Sequence, residues 1–360
     1  MAARDQVATA EAGTDLSLGV PPELAGQKGK GTAGASPWRL AGRRLKRNKA
    51  ALAFGVLFLV LVGVCLAAPI YSSSIANRTA SDQPASDETA TDNGEEVLVV
   101  GLDGIPIGPT WEKEYFLGAD SSGRDVAVRL LYGGRNSLLI GSLAALGTIL
   151  MGVALGLLAG YFRGWVDGVI SRIMDVIWSF PVILIGIALG TALALGGLDL
   201  GDFSFGLIPI TIAGDSLAIP IMIIAVVYIP YLARPIRGQV LALREKEFVE
   251  AARAQGMGSF RIMFGEILPN VVTTLIVFFP LLIANAILLE AALSFLGAGV
   301  RAPNPSWGTM INDGVDRIVT APTLAIVPGA MLVLTVLSLN VFGDGVRDAL
   351  DPRAKVRIDH

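Results

Sequence analysis

Long stretches without a charged residue dominate the pattern of apolar and polar positions along the chain. A bilayer core about 30 Å thick is crossed by roughly 20 helical residues, and each stretch is long enough to span it. The stretches are Ala51–Ile70, Ser137–Phe162, Val176–Leu198, Ser216–Ala233, Ile267–Leu289 and Ile318–Gly343. They predict an all-α membrane protein with six transmembrane helices.

The first stretch follows a basic segment, which holds six Lys or Arg between Arg39 and Lys49. A cleaved signal peptide also joins a basic and an apolar part, but its apolar part spans only about 7–15 residues. Here the apolar part is longer and begins at position 51. We therefore interpret it as a retained first transmembrane helix.

Basic residues indicate the orientation of the helices, because cytoplasmic loops carry an excess of Lys and Arg. With both termini in the cytoplasm, the inner segments hold 21 of the 28 basic residues. Arg124, Arg129 and Arg135 form a local exception, since they precede the second span on the outer side. The rest of this outer segment contains the acidic run "SDQPASDETATDNGEE", which we interpret as flexible.

Composition excludes several classes of function. The chain is 53% hydrophobic and 16% charged, whereas soluble domains average about 25% charged residues. It contains one cysteine, Cys65, and one histidine, His360, so an intrachain disulfide and a histidine-based metal site are excluded. We expect no metal and no cofactor. No basic face is interleaved with aromatic residues, so a nucleic-acid partner is not expected.

The largest inner loop contains an unusual mixed-charge stretch, "EFVEAARAQGMGSFRIMFGEILPN", from Glu247 to Asn270. Residues 246–255 are good helix formers, and Gly256 follows as a helix stop that favours a positive φ. Ser259 is a suitable N-cap for a second short helix running towards Pro269. The pattern predicts two short helices joined at Gly256. An ordinary interfacial loop with solvated charges remains the alternative.

Two polar residues lie close to the end of the fifth stretch, Asn285 within it and Glu290 directly after it. A carboxylate near a span is costly and usually faces a cavity or a partner. One interpretation makes Asn285 and Glu290 pore or gate residues near the outer face. The other places Glu290 at the interface, with its carboxylate reaching water.

The mixed-charge stretch carries a family resemblance. The spacing of Glu250, Ala251, Ala252, Gly256 and the Leu268–Pro269 pair resembles the EAA motif of ABC importer permeases. Three further segments resemble the same family, namely "LGADSSGRDVAVRLLYGGRNSL", "EAALSFLGAGVRAPNPSWGTMINDG" and "NVFGDGVRDALDPR". Together they indicate similarity to the second, C-type membrane subunit of dipeptide and oligopeptide ABC importers.

The resemblance implies a type I ABC importer permease fold and a loop that couples the spans to an ATPase. The implied coupling residues are Glu247, Glu250, Ala251, Ala252, Gly256, Leu268 and Pro269. The implied partners are a homologous permease, two ABC ATPase subunits, an extracytoplasmic solute-binding protein and membrane lipid. The chain itself would be non-catalytic and located in the cell membrane. Consistently, it has no GxxxxGK[ST] phosphate-binding loop, since "GQKGKGT" has the wrong spacing.

Peptide import is the function that the resemblance implies, and import of nickel or oligosaccharides by the same architecture is the alternative. A proton-coupled secondary carrier is disfavoured, because such carriers use acids or histidines at mid-span, and none of the six stretches contains one.

The expected organisation has five parts. They are a disordered cytoplasmic tail at 1–36, a basic segment with the first helix at 37–72, an extracytoplasmic loop at 73–132, a transmembrane domain at 133–348 that includes the coupling loop at 238–269, and a cytoplasmic tail at 349–360.

Overall fold

Helices account for most of the chain. The computed structural model describes residues 37–85, 87–92, 94–196, 198–199 and 211–351. The predicted tail at 1–36 and residues 352–360 of the predicted C-terminal tail lie outside the described residues. The helices are α1 (Pro37–Arg47), α2 (Lys49–Leu66), α3 (Ala68–Tyr71), α4 (Val126–Phe162), α5 (Gly164–Trp178), α6 (Val182–Gly196), α7 (Ala218–Val227), α8 (Ile229–Leu243), α9 (Glu247–Ala254), α10 (Ser259–Ile262), α11 (Leu268–Phe295), α12 (Trp307–Val315) and α13 (Thr323–Leu350).

Two π-helical turns, Ser72–Ala76 and Met263–Ile267, continue α3 and α10. Two short antiparallel strand pairs complete the secondary structure. The strands are β1 (Thr89–Asp92), β2 (Glu95–Leu98), β3 (Leu198–Asp199) and β4 (Thr211–Ile212).

The outer segment before α4 is more ordered than its acidic composition suggested. β1 and the first two residues of β2 lie within the run interpreted as flexible, and they form a hairpin. Tyr115 is fully buried there, and the guanidinium of Arg78 lies 4.6 Å from the centre of its ring. Arg78 also pairs with Glu88 at 2.5 Å. Burial raises the pKa of the Tyr115 hydroxyl. The flexible interpretation was wrong because these contacts join residues far apart in sequence.

Within the described residues, five helical segments are long and apolar enough to cross a membrane, and there are six such spans if a bent pair of helices counts as one. The pair is α5 and the first twelve residues of α6, which meet at 88°. The predicted stretch Val176–Leu198 is therefore not one continuous helix, because it includes the end of α5, the break and α6. The helix breaks at Pro181, since proline lacks an N–H and disfavours helical conformation at the preceding residue.

Several span boundaries also differ from the uncharged stretches. α4 begins eleven residues before Ser137, so the expected loop 73–132 includes its first turns. α11 continues past Glu290 to Phe295, and α13 begins five residues after Ile318, directly following Pro322. Charged residues were taken as span limits, whereas α4 and α11 extend through the buried residues Arg129 and Glu290, which have partners in the protein.

α4 lies at the centre of the bundle, where it packs against α2, α7, α8 and α11, and α11 in turn packs against α13. α4 and α8 approach each other closely. A Cβ placed on Gly156 would lie 2.8 Å from the Cβ of Ile236, and one on Gly160 would lie 2.7 Å from the Cβ of Val240. Small residues at a four-residue spacing permit such close packing of membrane helices. The outward faces of the spans are apolar, as a lipid environment requires.

Candidate functional site

The predicted coupling loop forms one short helix, α9, followed by a turn into a long helix. α9 begins after Lys246, whose backbone is extended. Its first turn contains Glu247 and Glu250, which is favourable because negative charges stabilise a helix N-terminus. The second helix of the prediction is not separate, because α10, the π-helical turn and α11 form one continuous helix from Ser259 to Phe295. The cap of α10 is Gly258, not the predicted Ser259.

Gly256 ends α9 in the conformation that the sequence predicted. Its φ is +78°. The N–H of Gly256 donates to the carbonyl of Arg253 at 2.9 Å, and the N–H of Met257 donates to the carbonyl of Ala252 at 3.1 Å. These two bonds form a Schellman motif, which satisfies carbonyl groups at the helix end. The chain direction after α9 is thus fixed by a single left-handed residue.

One face of α9 packs against the protein and the other is exposed. Val249 and Ala252 are buried, whereas Glu247, Glu250 and Ala251 are exposed. The predicted coupling residues Leu268 and Pro269 begin α11, where Leu268 is half-buried and Pro269 is exposed. The structure therefore brings most of the predicted coupling residues to the protein surface, while Ala252 anchors the helix.

Three exposed phenylalanines near α9 were missed in the sequence. Phe248, Phe260 and Phe264 are 39%, 63% and 59% exposed. Phe248 lies on α9, and the other two lie on the first turns of the following helix. Large apolar side chains exposed beside carboxylates are typical of a surface that contacts another protein. A search for apolar residues at helical spacing within the charged stretch would have found them.

The C-terminal end of α4 contacts α9 and the turn that precedes it. The guanidinium groups of Arg244 and Arg253 lie 5.8 Å and 5.7 Å from the centre of the Tyr161 ring. Arg244 also donates a hydrogen bond to the carbonyl oxygen of Tyr161. Arg163 pairs with Glu245 at 2.8 Å. A displacement of α9 would therefore act directly on the central helix of the bundle.

Glu290 is fully buried near the C-terminal end of α11. The Ser294 hydroxyl donates to its Oε1 at 2.7 Å and accepts from the N–H of Val300 at 2.9 Å. The hydroxyls of Ser137 and Ser306 lie beside the same carboxyl group, although its Oε2 makes no hydrogen bond to the described residues. The interpretation that Glu290 reaches water is wrong, because three separate segments enclose it.

Asn285 lies five residues before Glu290 on α11 and is partly exposed. Its carbonyl oxygen accepts a hydrogen bond from the Tyr228 hydroxyl at 3.2 Å, which links α11 to the junction of α7 and α8. A pore or gate role for Asn285 and Glu290 stays a prediction. Among the described residues, no cluster of three or more His, Cys, Asp or Glu has the arrangement of a metal site.

Known proteins resemble the chain over most of its length. Residues 152–356 match the family described as binding-protein-dependent transport system inner membrane component. Residues 36–86 match the N-terminal transmembrane domain of oligopeptide transport permease C.

The dipeptide transport system permease protein DppC of Alkalihalophilus pseudofirmus is 38% identical over 320 residues, covering 89% of this chain and 91% of that protein. The glutathione transport system permease protein GsiD of Pectobacterium atrosepticum is 36% identical over 320 residues, covering 89% of this chain and 92% of that protein. An inward-facing structure of the MetNI methionine ABC transporter is 19% identical, with a TM-score of 0.47, covering 61% of this chain and 95% of that one.

Proposed function

The chain belongs to the family of binding-protein-dependent transport system inner membrane components, and we propose that it forms half of a peptide translocation pathway. Members of this family are multi-pass permease subunits of ABC importers and are not themselves catalytic. Energy for import would then come from ATP hydrolysis by separate subunits. Membership of this family also leaves no support for a secondary carrier acting alone.

Peptides are the proposed substrate class. The names of two relatives refer to dipeptide and glutathione transport, and each relative is more than a third identical to this chain over 320 residues. Import of nickel or oligosaccharides, the alternative from the sequence, has no comparable support from these relatives.

The coupling of transport to ATP hydrolysis is assigned to α9, and this assignment rests on one observation. α9 presents Glu247, Glu250 and Phe248 outward, while Arg253 on α9 and Arg244 just before it both lie over the ring of Tyr161 on α4. A groove on an ATPase subunit that receives this surface would move α9. The attachment to α4 would transmit that movement to the spans.

A cytoplasmic location for both termini is supported by the packing of the chain ends. The Arg44 guanidinium in α1 donates to the carbonyl oxygen of Asp351 after α13 at 2.8 Å. Thr273 and Thr274, which follow the coupling loop in α11, share a small cavity with Arg347 and Asp351. The two ends of the described chain therefore lie at the same end of the bundle as α9, where basic residues are most frequent.

The proposed assembly contains this chain, a homologous permease, two ABC ATPases and an extracytoplasmic solute-binding protein in a lipid bilayer. Reconstitution of that assembly in liposomes tests the function. We expect ATP-driven accumulation of a short peptide, and no ATP binding or hydrolysis by the purified chain alone. Accumulation of nickel or an oligosaccharide without peptide uptake would refute the peptide assignment, and saturable ATP binding by the chain alone would refute its non-catalytic role.

A further inference from the structure

A polar cavity of about 550 Å³ opens at the outer end of the bundle. It lies between the start of α4, the end of α11, the loop before α12 and α12 itself. Its lining includes Arg124, Arg129, Arg301, Asn304, Asn312 and Asp313. The 37 residues of α4 separate it from α9 by roughly 55 Å at 1.5 Å per residue. The cavity is thus distinct from the exposed face of α9 that is proposed to contact the ATPase.

Arg129 is buried at the wall of this cavity and is only partly neutralised. It is 4% exposed. Its Nε lies 3.2 Å from the Oδ2 of Asp120, and its Nη2 lies 3.4 Å from the Oδ2 of Asp313. Its Nη1 is buried and has no hydrogen-bond partner among the described residues. An unsatisfied buried donor on a charged group is costly, so such a group indicates a missing acceptor.

Arg301 offers a second unsatisfied donor at the same cavity. Its Nε is buried without an acceptor, and its side chain makes no ion pair within the part of the chain that the structure describes. Arg124 pairs with Asp120 at 2.7 Å and with Asp313 at 3.6 Å. Arg124 and Arg129 therefore share the carboxylates of Asp120 and Asp313, and the charge of Arg301 is left without a carboxylate partner among the described residues.

We propose that this cavity binds the terminal carboxylate of a free peptide as the peptide enters the permease. The inference rests on the proposed function of peptide import. A guanidinium group pairs with a carboxylate through parallel hydrogen bonds, and Arg129 and Arg301 supply the free donors. The volume lies within the range of small-ligand sites, about 300–1,000 Å³.

The rest of the cavity suits the other polar groups of a peptide. The Asp313 side chain is 38% exposed and can accept from the terminal ammonium group. Asn304 and Asn312 provide donors and acceptors for a peptide amide. Asp120 and Asp313 already pair with Arg124 and Arg129, so only Arg301 offers the peptide an unpaired charge. A single unpaired charge favours weak binding, which allows the peptide to move onward.

Binding of a radiolabelled dipeptide to the assembled importer in nanodiscs, without the solute-binding protein, tests the proposal. We expect saturable binding of the peptide acid and about tenfold weaker binding of its C-terminal amide, since a hydrogen-bonded charge is lost. Arg301→Gln should weaken binding of the acid by a similar factor, and Arg301→Lys by less. Arg135→Gln is the matched control, because Arg135 is exposed on the outer part of α4 and does not line the cavity.

Arg301→Gln breaks no ion pair, so we expect the variant to assemble and unfold at the wild-type temperature. Absence of saturable binding in the wild type, equal binding of acid and amide, or unchanged binding in Arg301→Gln would each overturn the proposal. An Arg301→Gln effect confined to ATP hydrolysis stimulated by the solute-binding protein would also overturn it. If ATP-driven peptide uptake nevertheless persists in the complete system, the import function stands and only the subsite fails.

Discussion

At Gly256 the backbone adopts a φ of +78°, whereas Gly258, two residues later, has a φ of −68°. Both positions are open, since a Cβ built on either glycine meets no atom within 4 Å. The two residues therefore differ in backbone conformation and not in available space. A side chain at Gly256 costs roughly 1–2 kcal/mol in the left-handed region, and a β-branched one costs more.

Gly256→Val should reorient α9 and uncouple transport. We expect the variant to insert and assemble, because its spans are unchanged, but peptide uptake per ATP hydrolysed should fall at least several-fold in proteoliposomes. Gly258→Val is the matched control and should transport at nearly the wild-type rate. Equal uptake by the two variants would show that the turn after α9 is not required for coupling.

The residue-scale predictions succeeded where the determining contacts were local. A glycine after a run of helix formers indicates a helix end, and Gly256 occupies one. Glu290 needed contacts from Ser137, Ser294 and Ser306, which lie on three separate segments, so its burial was not readable from the sequence. The same applies to Arg129, whose pairing with Asp120 and Asp313 explains why a basic residue is tolerated on the outer side.

At the scale of elements, the contact between α4 and α8 lies between α9, the helix proposed for coupling, and the rest of the membrane bundle. Gly152, Gly156 and Gly160 face Leu232, Ile236 and Val240 across this contact. A Cβ on Gly156 would also lie 2.9 Å from the carbonyl oxygen of Ala233, so the neighbouring backbone itself would have to move. The contact therefore leaves no room for a larger side chain between the two helices.

Gly156→Leu should separate α4 from α8 and destabilise the protein. Overpacking of a filled contact typically costs about 1–3 kcal/mol, which should appear as a lower midpoint in thermal unfolding of the detergent-solubilised importer. The matched control is Gly168→Leu on α5, because a Cβ at Gly168 meets no atom within 4 Å. A Gly156→Leu midpoint equal to that of the control would contradict close packing at this contact.

The number of helical spans was predicted better than their shapes. Uncharged stretches identify apolar segments, because hydropathy is a property of the sequence itself. The uncharged stretches did not reveal the break at Pro181. They also left most of α5 outside the predicted spans, because α5 carries charged residues such as Asp167. In the structure, Asp167 pairs with Arg237 on α8 at 2.5 Å. An ion pair between distant elements allows a helix that carries charged residues to pack against the bundle. The same helix without its partner would not pack there.

At the scale of the whole molecule, the two ends of the described chain, near Arg44 and Asp351, share one end of the bundle with α9, and the arginine-lined cavity occupies the other. This separation suits an importer that binds its substrate at one side of the membrane and its ATPase subunits at the other. It also fits the distribution of basic residues, of which 21 of 28 fall in the segments assigned to the cytoplasm.

The orientation predicts the outcome of reporter fusions. After Arg353, we expect activity only from a reporter that functions in the cytoplasm. Near Asp92, we expect activity only from a reporter that functions outside the cytoplasm. The measurement compares a cytoplasm-specific reporter with an export-specific one at both sites in intact cells. Activity of the same reporter type at both sites would contradict the odd number of spans, five, that the six-helix topology places between them.

Cross-linking from α9 tests the central claim, that this helix contacts an ATPase subunit. The one native cysteine, Cys65, is fully buried, so an introduced surface thiol is selectively labelled. Ala251 is exposed, whereas its neighbour Ala252 is 5% exposed. The account predicts that Ala251→Cys carrying a benzophenone maleimide photo-cross-links to the ATPase in the assembled importer and that identically treated Ala252→Cys does not. Absence of an ATPase cross-link from Ala251→Cys in an importer that still transports peptide would contradict it.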